Sequence, residues 1–218
     1  VHPKHLLKTK AVVGGTKQVH FDKIKALQPD IILCNKEENT QEMIAELEQI
    51  APVHISDIYT IPDCLELISM YGDLFQVEDK AECIVSEIKS ERQKFQDYIK
   101  DKSALKTVYF IWKTPWMVAA KNTFIDTLMY EANFQNCFND LDRYPEINID
   151  KDIDETVEVI MLSSEPFPFK ESHVKSLKMK FPNAKVLLVD GEMFSWYGSR
   201  LIKSFQYFQT LRESMENL

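Results

Sequence analysis

No run of about 18 apolar residues occurs in this 218-residue sequence, so no segment reads as a membrane-spanning helix. Glycine is scarce, with 5 in the whole chain, and neither G-x-G-x-x-G nor a Walker loop is present to cradle a phosphate. The G-x-S-x-G elbow and the H-E-x-x-H helix are missing too, which removes common signatures of hydrolases and zinc proteases. Cys34, Cys64, Cys83 and Cys137 form no C-x-x-C pair, so a zinc ribbon or thioredoxin-like motif has no support. They read as small buried hydrophobes. Positive charge is in deficit: 26 Lys and Arg against 34 Asp and Glu leave a net charge of −8. That balance argues against a nucleic-acid binder, which needs basic surface to displace counterions from phosphate. The opening, VHPKHLLKTK, has no apolar signal-peptide core and fits a mature or truncated product.

What is present is an alternation of short apolar runs and amphipathic stretches, the pattern of an α/β protein. Strands are expected at 11–13, 30–34, 52–56, 107–112, 157–162 and 185–189. Several are continuously apolar, as in parallel strands covered on both faces. Helices are expected at about 20–28, after Asn39 with Glu42 at capping-box spacing, after Pro62, from Asn122 and Thr123 to about 133, at about 170–181 and at 199–216. Residues 78–101 contain no Gly or Pro and carry Ala81, Ile84, Val85, Ile88, Phe95 and Ile99 at near-helical spacing. Such a rod is either a long surface helix or one that crosses between two lobes. The second choice divides the chain into an N-terminal lobe (1–77), a bridging helix (78–102) and a C-terminal lobe (103–218).

His2, His5, His20, His54 and His173 are too scattered to predict a metal centre; His2 and His5 are the nearest pair. The acidic run Asp150, Asp152, Asp154 and Glu155 lacks EF-hand spacing and reads as a solvated helix start. Aromatics say more. Trp112, Trp116, Tyr144, Phe167, Phe169, Phe194, Trp196 and Tyr197 fall at or just past strand ends in the second half, in runs such as SSEPFPF and DGEMFSWYGSR. In an open α/β sheet the loops after the carboxyl ends of the strands form the ligand crevice. Either these loops fold back on their own aromatics, or they line a cleft for a large flat or hydrophobic ligand, with Arg143 or Arg200 supplying charge.

Four passages, from VGGTKQVHFDKIKALQPDIILCNKEEN near the start to DGEMFSWYGSRL near the end, resemble one family, the class III substrate-binding proteins of ABC importers, the cobalamin and ferric-siderophore receptors. VGGTKQVHFDKIKALQPDIILCNKEEN is similar to the family's first-lobe passage, NTFIDTLMYEANFQN to a second-lobe helix, RYPEINIDKDIDETVEVIMLSSEPFPFKESHV to its Tyr-Pro-Glu passage and following strand, and DGEMFSWYGSRL to a cleft loop and last helix. The resemblance implies an α/β fold of two lobes bridged by one long rigid helix, with the ligand cleft between the lobes. It implies a solute-binding component that does no chemistry and holds no resident cofactor or metal. The expected ligand is a corrinoid, a ferric siderophore or a haem-like chelate, bound by Trp112, Trp116, Tyr144, Phe167, Phe169, Phe194, Trp196, Tyr197 and Arg200. It also implies a monomer that docks on an ABC transporter permease through acidic side chains, Glu38 or Glu42 on the first lobe and Glu165 on the second. Its place would be periplasmic, or anchored on the outer side of the inner membrane.

Three departures from the family pattern stand out. Its usual first strand and helix have no counterpart, so the first lobe reads as incomplete. Asn35 stands where cobalamin receptors often carry Trp, and Glu131-Ala132-Asn133 replaces a Leu-Gly-Gly ending. Competing readings are a manganese or zinc receptor using His2 and His54, an enzyme with cleft carboxylates such as Glu146 or Glu165, and a non-transporting binder or sensor, cytoplasmic included.

Overall fold

The computed structural model describes residues 3–216, in two compact units divided between Asp57 and Ile58. His2, a metal-ligand candidate, lies outside the described residues.

The first unit opens with a single turn, α1 (Leu6–Thr9), and a hairpin, β1 (Gly14–Gly15) against β2 (Gln18–Val19). The strand expected at 11–13 does not form. Its last carbonyl, of Val13, instead accepts the His20 N–H at 2.7 Å, and Gly14 enters the hairpin at φ 125°, where a residue with a Cβ is strained. There follow α2 (Phe21–Leu27), β3 (Ile32–Asn35), α3 (Gln41–Leu47) and β4 (Val53–Ser56), with β3 and β4 parallel. Ile24, Cys34, Met43 and Leu47 form the buried centre of this unit. The N-cap of α3 is Thr40, whose hydroxyl accepts from Met43 N, and not Asn39. Asn39 accepts from Asn35 N and donates to Thr16 O, tying the hairpin to the loop after β3.

The second unit begins with α4 (Ile61–Leu74), α5 (Glu78–Ile99) and β5 (Leu105–Trp112). It continues through β6 (Met117–Val118), α6 (Phe124–Glu131), β7 (Phe134–Asn136), β8 (Val159–Ser163), α7 (Glu171–Lys180), β9 (Lys185–Val189), α8 (Gly191–Ser195) and α9 (Arg200–Glu216). Parallel strands β5, β8 and β9 lie side by side, and the remaining edge of β5 is shared by parallel β7 at 105–107 and antiparallel β6 at 110–112.

Both faces of this sheet are covered. Tyr109, Ile111, Val159 and Met161 enter one apolar cluster, with residues of α4, α5, α6, α8 and α9. Val108, Phe110, Ile160 and Leu162 alternate with them into a second cluster, with Val174 and Leu177 of α7. That two-sided burial is why these strands read as unbroken apolar runs. Helix α5 buries Ala81, Ile88, Phe95 and Ile99, and its 22 residues span roughly 33 Å. Residues 58–77, which the sequence pattern groups with the first lobe, belong to the second unit. Ile61 and Cys64 of α4 share a core with Ile88 and Phe95 of α5, and Thr127 of α6 donates to Tyr59 O at 2.6 Å. The acidic run 150–155 starts no helix: Asp154 accepts from the Thr156 N–H and hydroxyl, and Asp152 accepts from Asn148 N, closing successive turns.

Candidate functional site

Strands β5, β8 and β9 end together at Trp112, Ser163 and Val189, and the loops that leave them carry the aromatics singled out from the sequence. Trp112 is 38% exposed and meets Phe167 edge-on at 5.5 Å between ring centroids. Phe167 meets Phe169 at 4.7 Å, and Phe169 stacks on Trp116 at 6.0 Å and 14°. Phe167 N donates back to Ile111 O at 3.4 Å, hooking its loop onto β5. Lys113 lies 5.5 Å from the Trp116 ring.

A second group gathers where the loop after β8 meets the segment after β9. Trp196 Nε1 donates to Glu165 Oε1 at 2.8 Å, and Ser195 Oγ lies 2.9 Å from the same oxygen. The Arg200 guanidinium lies 5.2 Å from the Trp196 ring centroid and pairs with Glu192 at 2.8 Å. Tyr197 meets Phe124 edge-on at 6.0 Å, and Gly198 N donates to Cys64 Sγ. Burial first, then the charge of Asp63, against the opposing Gly198 hydrogen bond, pushes the Cys64 thiol up to about 11, so it stays protonated. Tyr144 packs at the edge of the Tyr109 cluster with Arg143 over its ring at 5.5 Å.

Two of the predicted contacts are core residues. Phe194 is fully buried, with ring contacts to Tyr109 at 5.1 Å and Phe208 at 4.8 Å. Residues 190–200 are not one open loop: Asp190 caps the short helix α8 and turns Phe194 inward. Phe169 is also buried, on the opposite face of the sheet. Glu165 is half-buried and bonded to Trp196, unlike a free surface carboxylate. In the first unit, Glu38 is exposed, accepts from Thr16 Oγ1 and faces Lys17 at 3.7 Å. Glu42, also exposed, opens α3; hydrogen bonds from its own N–H and from Thr40 hold its carboxyl below the usual range.

Sequence reasoning missed His173, whose ring touches Phe167 and Phe169 at 5.7 and 5.4 Å, and Glu192, the partner of Arg200. The only local signal for His173 was its place three residues after Lys170 at a helix start, where Nδ1 accepts Lys170 N. Among the described residues no group of three His, Cys, Asp or Glu side chains is placed to hold a metal ion. Glu146 is exposed and bridges to Met117. A recess of about 540 Å³ opens at the opposite, amino ends of the strands, where Lys102, Glu158, Lys185 and Arg212 line it. The carboxyl ends remain the better site, because crevices of open α/β sheets form there and because the aromatics gather there.

The model of the periplasmic binding protein family matches residues 2–180. The chain belongs to that family. Solved structures agree with this periplasmic binding protein in fold. The periplasmic vitamin B12 binding protein BtuF of Vibrio cholerae superposes with a TM-score of 0.78 at 16% identity, over 100% of this chain and 86% of that one. A periplasmic heme binding protein from Pseudomonas aeruginosa gives 0.79 at 19%, over 96% and 81%. A possible iron-binding (periplasmic solute-binding) protein from Staphylococcus epidermidis gives 0.78 at 18%, over 99% and 86%. No curated protein sequence matches the chain. Among the described residues of this family member, no helix is long and apolar enough to cross a membrane.

Proposed function

We propose that this periplasmic binding protein is the solute-binding component of an ABC importer and carries a large metal chelate: a corrinoid, a ferric siderophore or a haem-like ligand. The observation that carries the proposal is the ring series Trp112–Phe167–Phe169–Trp116 at the carboxyl edge of the sheet, with Trp112 and Phe167 accessible. A large chelate gains apolar burial and ring contact against Trp112 and Phe167, which the buried Phe169 backs from the core. The proteins of similar fold that are named for vitamin B12, heme and iron support the same ligand class. The chelate is cargo and leaves unchanged. Delivery would be extracytoplasmic, to a permease. Glu42, exposed and held ionised, is the better first-unit docking carboxylate, since Glu38 already faces Lys17.

A thermal-shift and absorbance screen against cyanocobalamin, cobinamide, haemin and several ferric siderophores tests this. Ligand at a hundred times Kd stabilises the folded state by about 2.7 kcal/mol, a clear rise in melting temperature. One coloured chelate is expected to give that rise and to be recovered intact. No shift with any of them, or turnover of the bound compound, overturns the reading.

A further inference from the structure

Trp196 is gripped at two places by groups distant from one another in sequence. Its indole N–H donates to Glu165 Oε1 at 2.8 Å, across 31 positions of chain. Arg200, oriented by its pair with Glu192, lies against its ring. An indole has one donor and no acceptor, so the carboxylate oxygen fixes where the edge of the ring points. Ser195 does not compete decisively for that oxygen. Its single hydroxyl proton is also within reach of Gly191 O, 2.8 Å away on its own helix.

The backbone of Glu165 is itself anchored. Ser163 Oγ donates to Glu165 O at 2.6 Å, and the buried Tyr109 hydroxyl donates to Ser163 Oγ at 3.2 Å. Gly191 stands where the Glu165 side chain passes. A Cβ at position 191 would lie 2.7 Å from Glu165 Cγ and would overlap Ser163 Oγ. One of only 5 glycines in the chain is thus placed where its missing Cβ leaves a notch for Glu165.

We propose that Glu165 is a positioning residue: lodged in the notch left by Gly191, it presets the indole of Trp196 for the incoming chelate. A ring already held in its bound orientation does not lose that freedom on binding. The proposal rests on the chelate-binding reading for its ligand, but the positioning itself is measurable without one.

The experiment uses Trp112→Phe/Trp116→Phe as background, which leaves Trp196 as the sole tryptophan. Near-UV circular dichroism, emission maximum and acrylamide quenching then report on Trp196. Glu165→Ala is expected to flatten its near-UV band, shift emission to the red and raise quenching about twofold or more. Glu165→Gln, which keeps an acceptor oxygen, should restore most of the signal. Gly191→Ala alters neither partner and should imitate Glu165→Ala. Unchanged far-UV dichroism shows that each variant is folded, and the Gln variant decides the matter if the Ala variants are not. A Trp196 signal that ignores Glu165→Ala, or that Glu165→Gln fails to rescue, overturns the positioning role. In the three-tryptophan protein, Glu165→Ala should weaken cyanocobalamin or haemin binding roughly tenfold. An unchanged affinity overturns the role in binding. Failure of the unmodified protein to bind any chelate of the screen overturns the chelate reading instead, while the Trp196 spectra still decide whether Glu165 holds the indole.

Discussion

Arg92 on α5 makes two parallel hydrogen bonds to Glu131 at the end of α6, Nε to Oε2 and Nη2 to Oε1, each 2.7 Å long. Glu131 is 9% exposed and also accepts from Gln96 Nε2. The pair stands at the head of Glu131-Ala132-Asn133, the segment that departs from the Leu-Gly-Gly ending implied by the resemblance. Glu131 locks the helix end to α5, Ala132 is fully buried, and Asn133 takes the left-handed conformation at φ 57° that glycine usually supplies. Asn133 Nδ2 then donates to Lys102 O, 2.8 Å away.

Removing one partner of this pair strands the other. Arg92→Ala leaves a buried carboxylate with only Gln96 and is expected to cost about 2 kcal/mol, below the full range for buried pairs because the Arg92 side chain is 41% exposed. The double variant Arg92→Ala/Glu131→Gln should recover part of that loss. Urea unfolding of the cycle measures both, and a double variant less stable than Arg92→Ala would contradict the assignment.

Core and exposed aromatics should separate cleanly. Phe194→Ala opens a cavity among Tyr109, Tyr207 and Phe208 and should cost about 3 to 5 kcal/mol. Trp112→Ala removes a ring already 38% exposed and should leave stability within about 1 kcal/mol of wild type. It should nevertheless weaken the chelate found in the screen roughly tenfold. Melting curves with and without ligand distinguish the two patterns. A stable Phe194→Ala protein with weakened binding would return Phe194 to the site.

The difference between these residues was hidden from the sequence for physical reasons. Strands β5, β8 and β9 were legible because apolar runs covered on both faces carry their own signal, and β3 and β4 because their residues are apolar even where Leu33 and Ile55 are exposed. Strands β6 and β7, of two and three residues, exist only by pairing with β5, and no pattern that short can announce them. Phe194 was misread because the five-residue helix α8 is set by one cap, Asp190, inside a segment rich in turn formers. The Glu165–Trp196 bond joins positions 31 apart and has no local trace at all. The gathering of aromatics at the strand ends was legible; which of them face inward was decided by tertiary packing.

The helix caps offer a test confined to each unit. Thr40 accepts from Met43 N, and Thr60 accepts from Asp63 N while Asp63 accepts from Thr60 N. Each Thr→Ala change should cost about 1 kcal/mol. Hydrogen exchange should quicken at the start of α3 for Thr40→Ala and at the start of α4 for Thr60→Ala. Asn39→Ala should instead expose the Asn35 N–H and loosen the hairpin, since Asn39 holds that loop. Faster exchange in the first turn of α3 on losing Asn39 would restore it as the cap.

His173 supplies a pH dependence whose sign follows from its surroundings. Its ring lies against Phe167 and Phe169, and its Nδ1 accepts from Lys170 N at 2.9 Å, which keeps the proton of the neutral ring on Nε2. Burial first, then the positive charges of Lys113 and Lys170, hold its imidazole below the ordinary value. The unfolded chain titrates this group near 6.5, so below about pH 6.5 it binds the proton more readily than the folded protein does. Stability from His173 is therefore present at neutral pH, is lost as pH falls through that value, and levels off below the folded pKa. An NMR titration of the imidazole should give a midpoint under 6.5. His173→Asn, which can keep the acceptor for Lys170 N without a titrating ring, should flatten the melting-temperature profile between about pH 7 and 5. A midpoint at or above 6.5, or an unaltered profile in the variant, would mean that charge on this ring is not resisted by the aromatic edge it belongs to.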